Sequence, residues 1–252
     1  MPYADSDGVR IHYRVEGNGP PLVLTHWSLG SLAGWHEYGY VDLLAADYTV
    51  IAHDVRGHGK SDKPHDPADY ALESRVADIV AILDDLGLER AHFYGYSMGG
   101  WIGFGAAKHA PERFRSFAIG GAHPYAQDMS GLRDLLTVGV DLGGRVFVDR
   151  FQEIDEDFTR RHETQWLKAD FVAQRAAARD HSSLEETLSR IDCPCLVVAG
   201  TEDGVFFEAK RSCAAIPNGR FEALSGLDHG TALARSDLVV PLLRMFLANA
   251  DG

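Results

Sequence analysis

The chain has 252 residues, 45% of them hydrophobic, enough to bury one full core with a single inserted subdomain. Its formal charge of −13 and isoelectric point near 5.3 argue against a nucleic-acid or anionic-membrane partner, since both reward a basic face. No apolar run approaches a membrane span, and Met1 to Arg10 lacks the basic-then-apolar order of a signal peptide, so a cytoplasmic location is expected.

Residues 9 to 15 alternate, with Val9, Ile11, Tyr13 and Val15 on one face, and predict a half-buried strand closed by a turn over 16 to 20. Short continuous apolar runs at 21 to 25 and 48 to 53 predict strands covered on both faces. Helical spacing of Val76, Ile79, Val80, Leu83 and Leu86 follows, then a strand at 91 to 94, a helix over 102 to 109 and a strand at 117 to 120. From 125 to 189 the alternation stops, and the segment predicts short amphipathic helices and no strand. Strand and helix resume at 195 to 199, 208 to 216 and 220 to 224, with a closing helix through Leu238, Leu242 and Phe246. Alternating strands and helices imply right-handed crossovers and a mostly parallel α/β sheet, with function at the carboxyl ends of the strands. An all-helical insert between two strands reads as a lid over those ends.

The central motif is Gly95-Tyr96-Ser97-Met98-Gly99-Gly100. A chain with 26 glycines could supply the bare pattern by chance, but strand, Gly-x-Ser-x-Gly and helix in succession is the setting of a nucleophile elbow. A serine hydroxyl needs a base to take its proton and a buried acid to orient that base. Asp203, just past the 195 to 199 strand, and His229, five residues past the 220 to 224 strand, complete the order Ser, acid, His. Glu202 is a rival acid, Asp228 reads as a loop carboxylate, and His26, His53, His58 and His123 read as structural hydrogen-bonding groups. The backbone N–H of Met98 should donate to a substrate oxyanion, with a second donor from the loop His26-Trp-Ser-Leu-Gly30. Cys193 and Cys195, bracketing Pro194, have neither zinc nor redox-motif spacing, and no pair of histidines is spaced His-x-x-x-His, so no metal and no cofactor are expected.

Four segments together resemble the α/β-hydrolase superfamily, in its group of small esterases, lactonases, carbon–carbon bond hydrolases and haloperoxidase-like enzymes. They are the His26 to Gly30 loop with Trp35 beyond it, Asp54-Val-Arg-Gly-His-Gly-Lys-Ser-Asp62, the Gly95 to Gly100 elbow, and Asp203 with His229. The resemblance implies an eight-stranded, mostly parallel sheet flanked by helices, with a core of residues 1–124 and 190–252 and a helical cap of 125–189 after the sixth strand. It places the second oxyanion donor on Ser28 and makes Asp54 and Arg56 structural supports. Trp27 stands where the family usually has Gly, which reads either as a core or rim aromatic or as a pocket wall. With it, Trp101, His123 and Tyr125 are candidate substrate-binding residues, whereas Phe151 and Trp166 fit core packing of the insert better.

Serine at the elbow weighs against haloalkane dehalogenase and epoxide hydrolase chemistry, which place Asp there. The expectation is therefore a serine hydrolase of a small ester or lactone, with a small carbonyl compound as its partner. A carbon–carbon bond hydrolase with the same triad, and a ligand receptor of the same fold with little turnover, stay open. The apolar faces of the insert helices also leave a homodimer open.

Overall fold

The structure, a computed structural model, describes residues 2 to 250. The chain runs through β1 (Tyr3–Ser6), β2 (Val9–Glu16), β3 (Pro21–Thr25), α1 (Leu32–Glu37), α2 (Tyr40–Leu44) and β4 (Thr49–His53). It continues with α3 (Leu72–Asp85), β5 (Ala91–Tyr96), α4 (Met98–His109) and β6 (Phe114–Gly120). Four helices then follow without a strand: α5 (Ser130–Leu142), α6 (Gly144–Gln152), α7 (Glu156–Trp166) and α8 (Phe171–Ala177). The last elements are β7 (Cys195–Gly200), α9 (Phe206–Ala214), β8 (Gly219–Leu224), α10 (His229–Ala234) and α11 (Ser236–Ala250).

The eight strands form one sheet in the order β1-β2-β4-β3-β5-β6-β7-β8, antiparallel over its first three strands and parallel beyond. This is the α/β-hydrolase architecture expected from the sequence. Alternation along the strands divides the core in two. Val23, Ile51, Phe93 and Val197 face α3, α4 and α9 with Ile79, Ile102 and Ala209. Leu22, Leu24, Tyr94 and Leu196 face the other side with Trp35, Tyr40, Leu243 and Leu247. A sheet buried on both faces needs apolar residues at successive positions, as these runs provide.

Strand β1 lies outside the sequence expectation. Its inward residues are Ala4 and Ser6, too small and polar to show alternation, but Asp7-Gly8, both at positive φ, form the two-residue hairpin turn that joins it to β2. Among the described residues no helix is long and apolar enough to cross a membrane.

The insert has its own small core, in which Leu136, Phe147, Val148, Trp166 and Phe171 pack together with Leu29 from the loop after β3. Phe147 packs tilted against Phe171 and Phe151 edge-on against Trp166, each with ring centres 4.7 Å apart. Leu29 ties this layer to the carboxyl edge of the sheet.

Candidate active site

Strand β5 lies centrally and is buried at every position, and it continues through Gly95 and Tyr96 to meet α4 at Met98. The turn between them is therefore Ser97 alone, at φ 54° and ψ −114°. A non-glycine residue with positive φ costs of order 1–3 kcal/mol and persists only where its surroundings enforce it. Here they do. A Cβ at Gly95 would lie 2.3 Å from Gly99 O, and one at Gly99 would lie 2.0 Å from Thr25 O, so neither position accepts a side chain. The Ser97 N–H donates to Gly120 O at 2.8 Å, which pins the elbow to β6.

Asp203 and His229 come from the ends of β7 and β8. The Asp203 carboxylate is 2% exposed; its Oδ2 lies 2.8 Å from His229 Nδ1, and Val205 N–H donates to its Oδ1 at 3.1 Å. Because a carboxylate only accepts, Nδ1 carries the proton and Nε2 presents a lone pair. Glu202, the rival acid, is exposed. Asp228 caps α10, accepting from Thr231 N–H at 2.8 Å. Tyr96, which sequence reasoning did not single out, donates from its hydroxyl to His229 O at 2.6 Å and sets its ring 5.3 Å from the imidazole.

One cavity, with about 470 Å³ of empty space partly open to solvent, is lined by Ser97, Met98, Ser28, His229, Trp101 and His123, together with Gln127, Met129, His181 and Val205. The N–H groups of Ser28 and Met98 donate to no backbone acceptor among the described residues. Met98 opens α4, where the helix dipole favours negative charge. His181 was not foreseen: it lies flat on the Trp101 indole, 3.7 Å away and within 6° of parallel.

Two expected substrate-binding residues lie elsewhere. Trp27, 3% exposed, is wedged among Trp35, Tyr38 and His162, with its ring filling the space over Gly30 and Gly34. It is a core aromatic and does not line the cavity. Tyr125 is drawn outward beneath the Arg211 guanidinium, 4.5 Å from its ring centre, and is likewise absent from the lining. Phe151 and Trp166 pack in the core of the insert.

The loop that carries Ser28 is held by His26. Its Nδ1–H donates to Trp27 O at 2.7 Å and its Nε2 accepts from Val55 N–H at 3.0 Å, so one neutral tautomer satisfies both neighbours. Burial first, and the adjacent His58 second, push the His26 ring down to about 3. Asp54 stands below it, accepting from Leu32 N–H at 2.8 Å, Lys60 N–H at 2.9 Å and His12 Nδ1 at 2.7 Å. Arg56 forks onto Asp78 through two bonds of 2.7 and 2.5 Å and donates to Asp69 O. From the insert, Gln165 Nε2 and Trp166 Nε1 donate to Leu29 O at 3.0 and 2.9 Å, and Ser31 Oγ donates to Gln165 Oε1 at 2.9 Å.

A family model described as alpha/beta hydrolase fold matches residues 20–171. The chain belongs to the alpha/beta hydrolase family. Within it, the chain is 30% identical over 211 residues to a 3-oxoadipate enol-lactonase of Acinetobacter baylyi, covering 78% of this chain and 77% of that protein. It is 31% identical over 272 residues to a non-heme chloroperoxidase of Streptomyces lividans, covering 96% and 97%. The crystal structure of the enol-lactonase from Burkholderia xenovorans superposes with a TM-score of 0.86 at 25% identity, covering 98% of this chain and all of that one. As an alpha/beta hydrolase with enol-lactonase and esterase relatives, the protein is an enzyme of hydrolase type.

Proposed function

We propose that the protein is a serine hydrolase that cleaves a small carboxylic ester or lactone through an acyl-enzyme. The observation that carries this reading is Ser97 in its enforced left-handed turn, opening into the same cavity as His229, whose Nδ1 is held by buried Asp203. Ser97 Oγ attacks the carbonyl carbon while His229 Nε2 takes its proton. The negative charge on the former carbonyl oxygen falls to the N–H groups of Met98 and Ser28. Collapse breaks the acyl C–O bond, and His229 returns the proton to the leaving oxygen. Water then attacks the acyl-serine with His229 as base, releasing the acid and restoring Ser97. Enol-lactonase and esterase relatives support an ester or lactone, and the cavity volume supports a small acyl group.

The test is hydrolysis of short p-nitrophenyl esters together with labelling by a fluorophosphonate. The native protein should turn over the esters and label at Ser97. Ser97→Ala should do neither while keeping its circular dichroism and melting temperature; undiminished turnover in that variant would reject the reading.

A further inference from the structure

A second cavity, with about 320 Å³ of empty space partly open to solvent, abuts the first and shares Ser28, Met98, Met129 and His181 with it. Its far wall is made by Arg75 of α3 and Gln174 of α8. Arg75 is 3% exposed, and none of the residues lining either cavity is Asp or Glu. Its Nε donates to Tyr70 O at 3.3 Å and its Nη2 to Ala177 O at 2.5 Å, both neutral acceptors. The nearby carboxylate of Asp78 is taken by the fork from Arg56. Arg75 is therefore a buried guanidinium with no carboxylate partner among the described residues. A charge in that condition is costly unless a ligand completes it. Burial pushes it down to about 10, which leaves it charged at neutral pH.

Unmet polar atoms belong to residues lining these two cavities, Gln174 the second, Trp101 the first and His181 both. Gln174 Oε1, His181 Nδ1 and Trp101 Nε1 are all buried without a hydrogen-bond partner. Gln174 is 95% buried by its 5% exposure, and its amide can turn either end to a ligand. In a chain of net charge −13, Arg75 is the one Arg or Lys side chain among the residues lining these two cavities.

From the buried Arg75 guanidinium and the unmet Gln174 amide in a cavity that shares four lining residues with that of Ser97, we infer that the substrate carries a second, carboxylate group, which Arg75 and Gln174 bind while the ester or lactone carbonyl lies at Ser97. The inference rests on the serine-hydrolase reading and specifies its substrate class. The planar guanidinium fork matches a carboxylate, and a single cation balances a monoanion, whereas a phosphate dianion would leave charge unpaired.

The experiment compares p-nitrophenyl monoesters of succinate, glutarate and adipate with the same compounds capped as methyl esters. In the native protein the best monoester should exceed its capped twin about 10²-fold in kcat/KM, chiefly through KM, as expected for a desolvated charge pair. Arg75→Met should bring that ratio near one, Arg75→Lys should keep part of it, and Gln174→Leu should lower it about tenfold. Equal rates for every native pair, or a preference that survives in Arg75→Met, would overturn the inference. If Arg75→Met does not fold, the native ratio and Gln174→Leu decide. Calorimetric binding of the three free dicarboxylates to Ser97→Ala protein gives a readout independent of turnover: binding lost on adding Gln174→Leu supports the subsite, and no binding rejects it. Failure of all esters with no fluorophosphonate label would instead reject the hydrolase reading, leaving the calorimetry to judge the subsite.

Discussion

The two sides of the cavity are built on different physics. On the sheet side, Ser97 is held by backbone sterics: Gly95 and Gly99 leave no room for alternatives, and β5 is buried along its length. On the insert side, the walls hang on a small aromatic core and a few side-chain bonds, from Gln165 and Trp166 to Leu29 and from Arg75 to Ala177. The first arrangement is suited to fixing one reacting atom. The second can be altered residue by residue without disturbing the elbow, and is where substrate choice can be tuned.

The largest expected effect lies on the sheet side. Asp203→Asn keeps the packing but no longer favours the proton on His229 Nδ1, so kcat should fall about 10⁴-fold with little change in melting temperature. A loss of tenfold or less would assign the orienting role to another acid. Gly99→Ala should act on the fold itself. Its methyl would meet Thr25 O at 2.0 Å, overpacking that costs about 1–3 kcal/mol and is read as a lower urea midpoint along with lost activity. An alanine at exposed Gly131 of α5, where nothing lies within 4 Å of the added carbon, is the matching control and should be neutral or slightly stabilising.

The same division explains what could be read from the sequence. The elbow, Asp203 and His229 sit at or just past strand ends, and the apolar runs of the strands mark those ends in the sequence itself. Trp27 could not be placed that way, because the void it fills is made by Gly34 on α1 and by His162 on α7, far apart in the chain. His181 and Arg75 were missed for a related reason. A histidine in an irregular segment and an arginine on an amphipathic helix carry no local mark of burial, and only the packing of α8 against the core reveals it. Tyr96 had a signal, its place inside the elbow motif, but its bond to His229 O spans 133 residues.

Acid should weaken the sheet side in a defined pH window. His26 and His53 are pushed by burial to about 3 and His58 to about 4, each from an ordinary value of 6.5. As pH falls past 6.5 the unfolded chain binds protons that the folded chain refuses. Stability therefore drops with falling pH until the folded rings themselves titrate near 3 to 4, by up to about 1.4 kcal/mol per pH unit for each ring. Urea midpoints measured between pH 7 and pH 4.5 should fall steadily, and His53→Gln should flatten the slope. A slope unchanged in that variant would show that His53 titrates alike in both states.

The smallest expected effect tests whether the insert reaches the chemistry at all. Leu29, next to the proposed donor Ser28, has φ 64°, a conformation that non-glycine residues hold only under constraint. Three bonds supply it: Gln165 and Trp166 donate to Leu29 O, and Ser31 donates to the Gln165 amide. Gln165→Leu removes two of the three and leaves Trp166 in place. If the insert only covers the cavity, this change should move KM and spare kcat. If it also holds the Ser28 N–H toward the oxyanion, kcat should fall about threefold to tenfold at nearly constant KM, since the donor matters chiefly in the transition state. Gln165→Glu, which keeps an acceptor for Ser31 but removes the donor to Leu29 O, should fall with the leucine variant. A glutamate variant with native kcat would place the constraint on Trp166 alone.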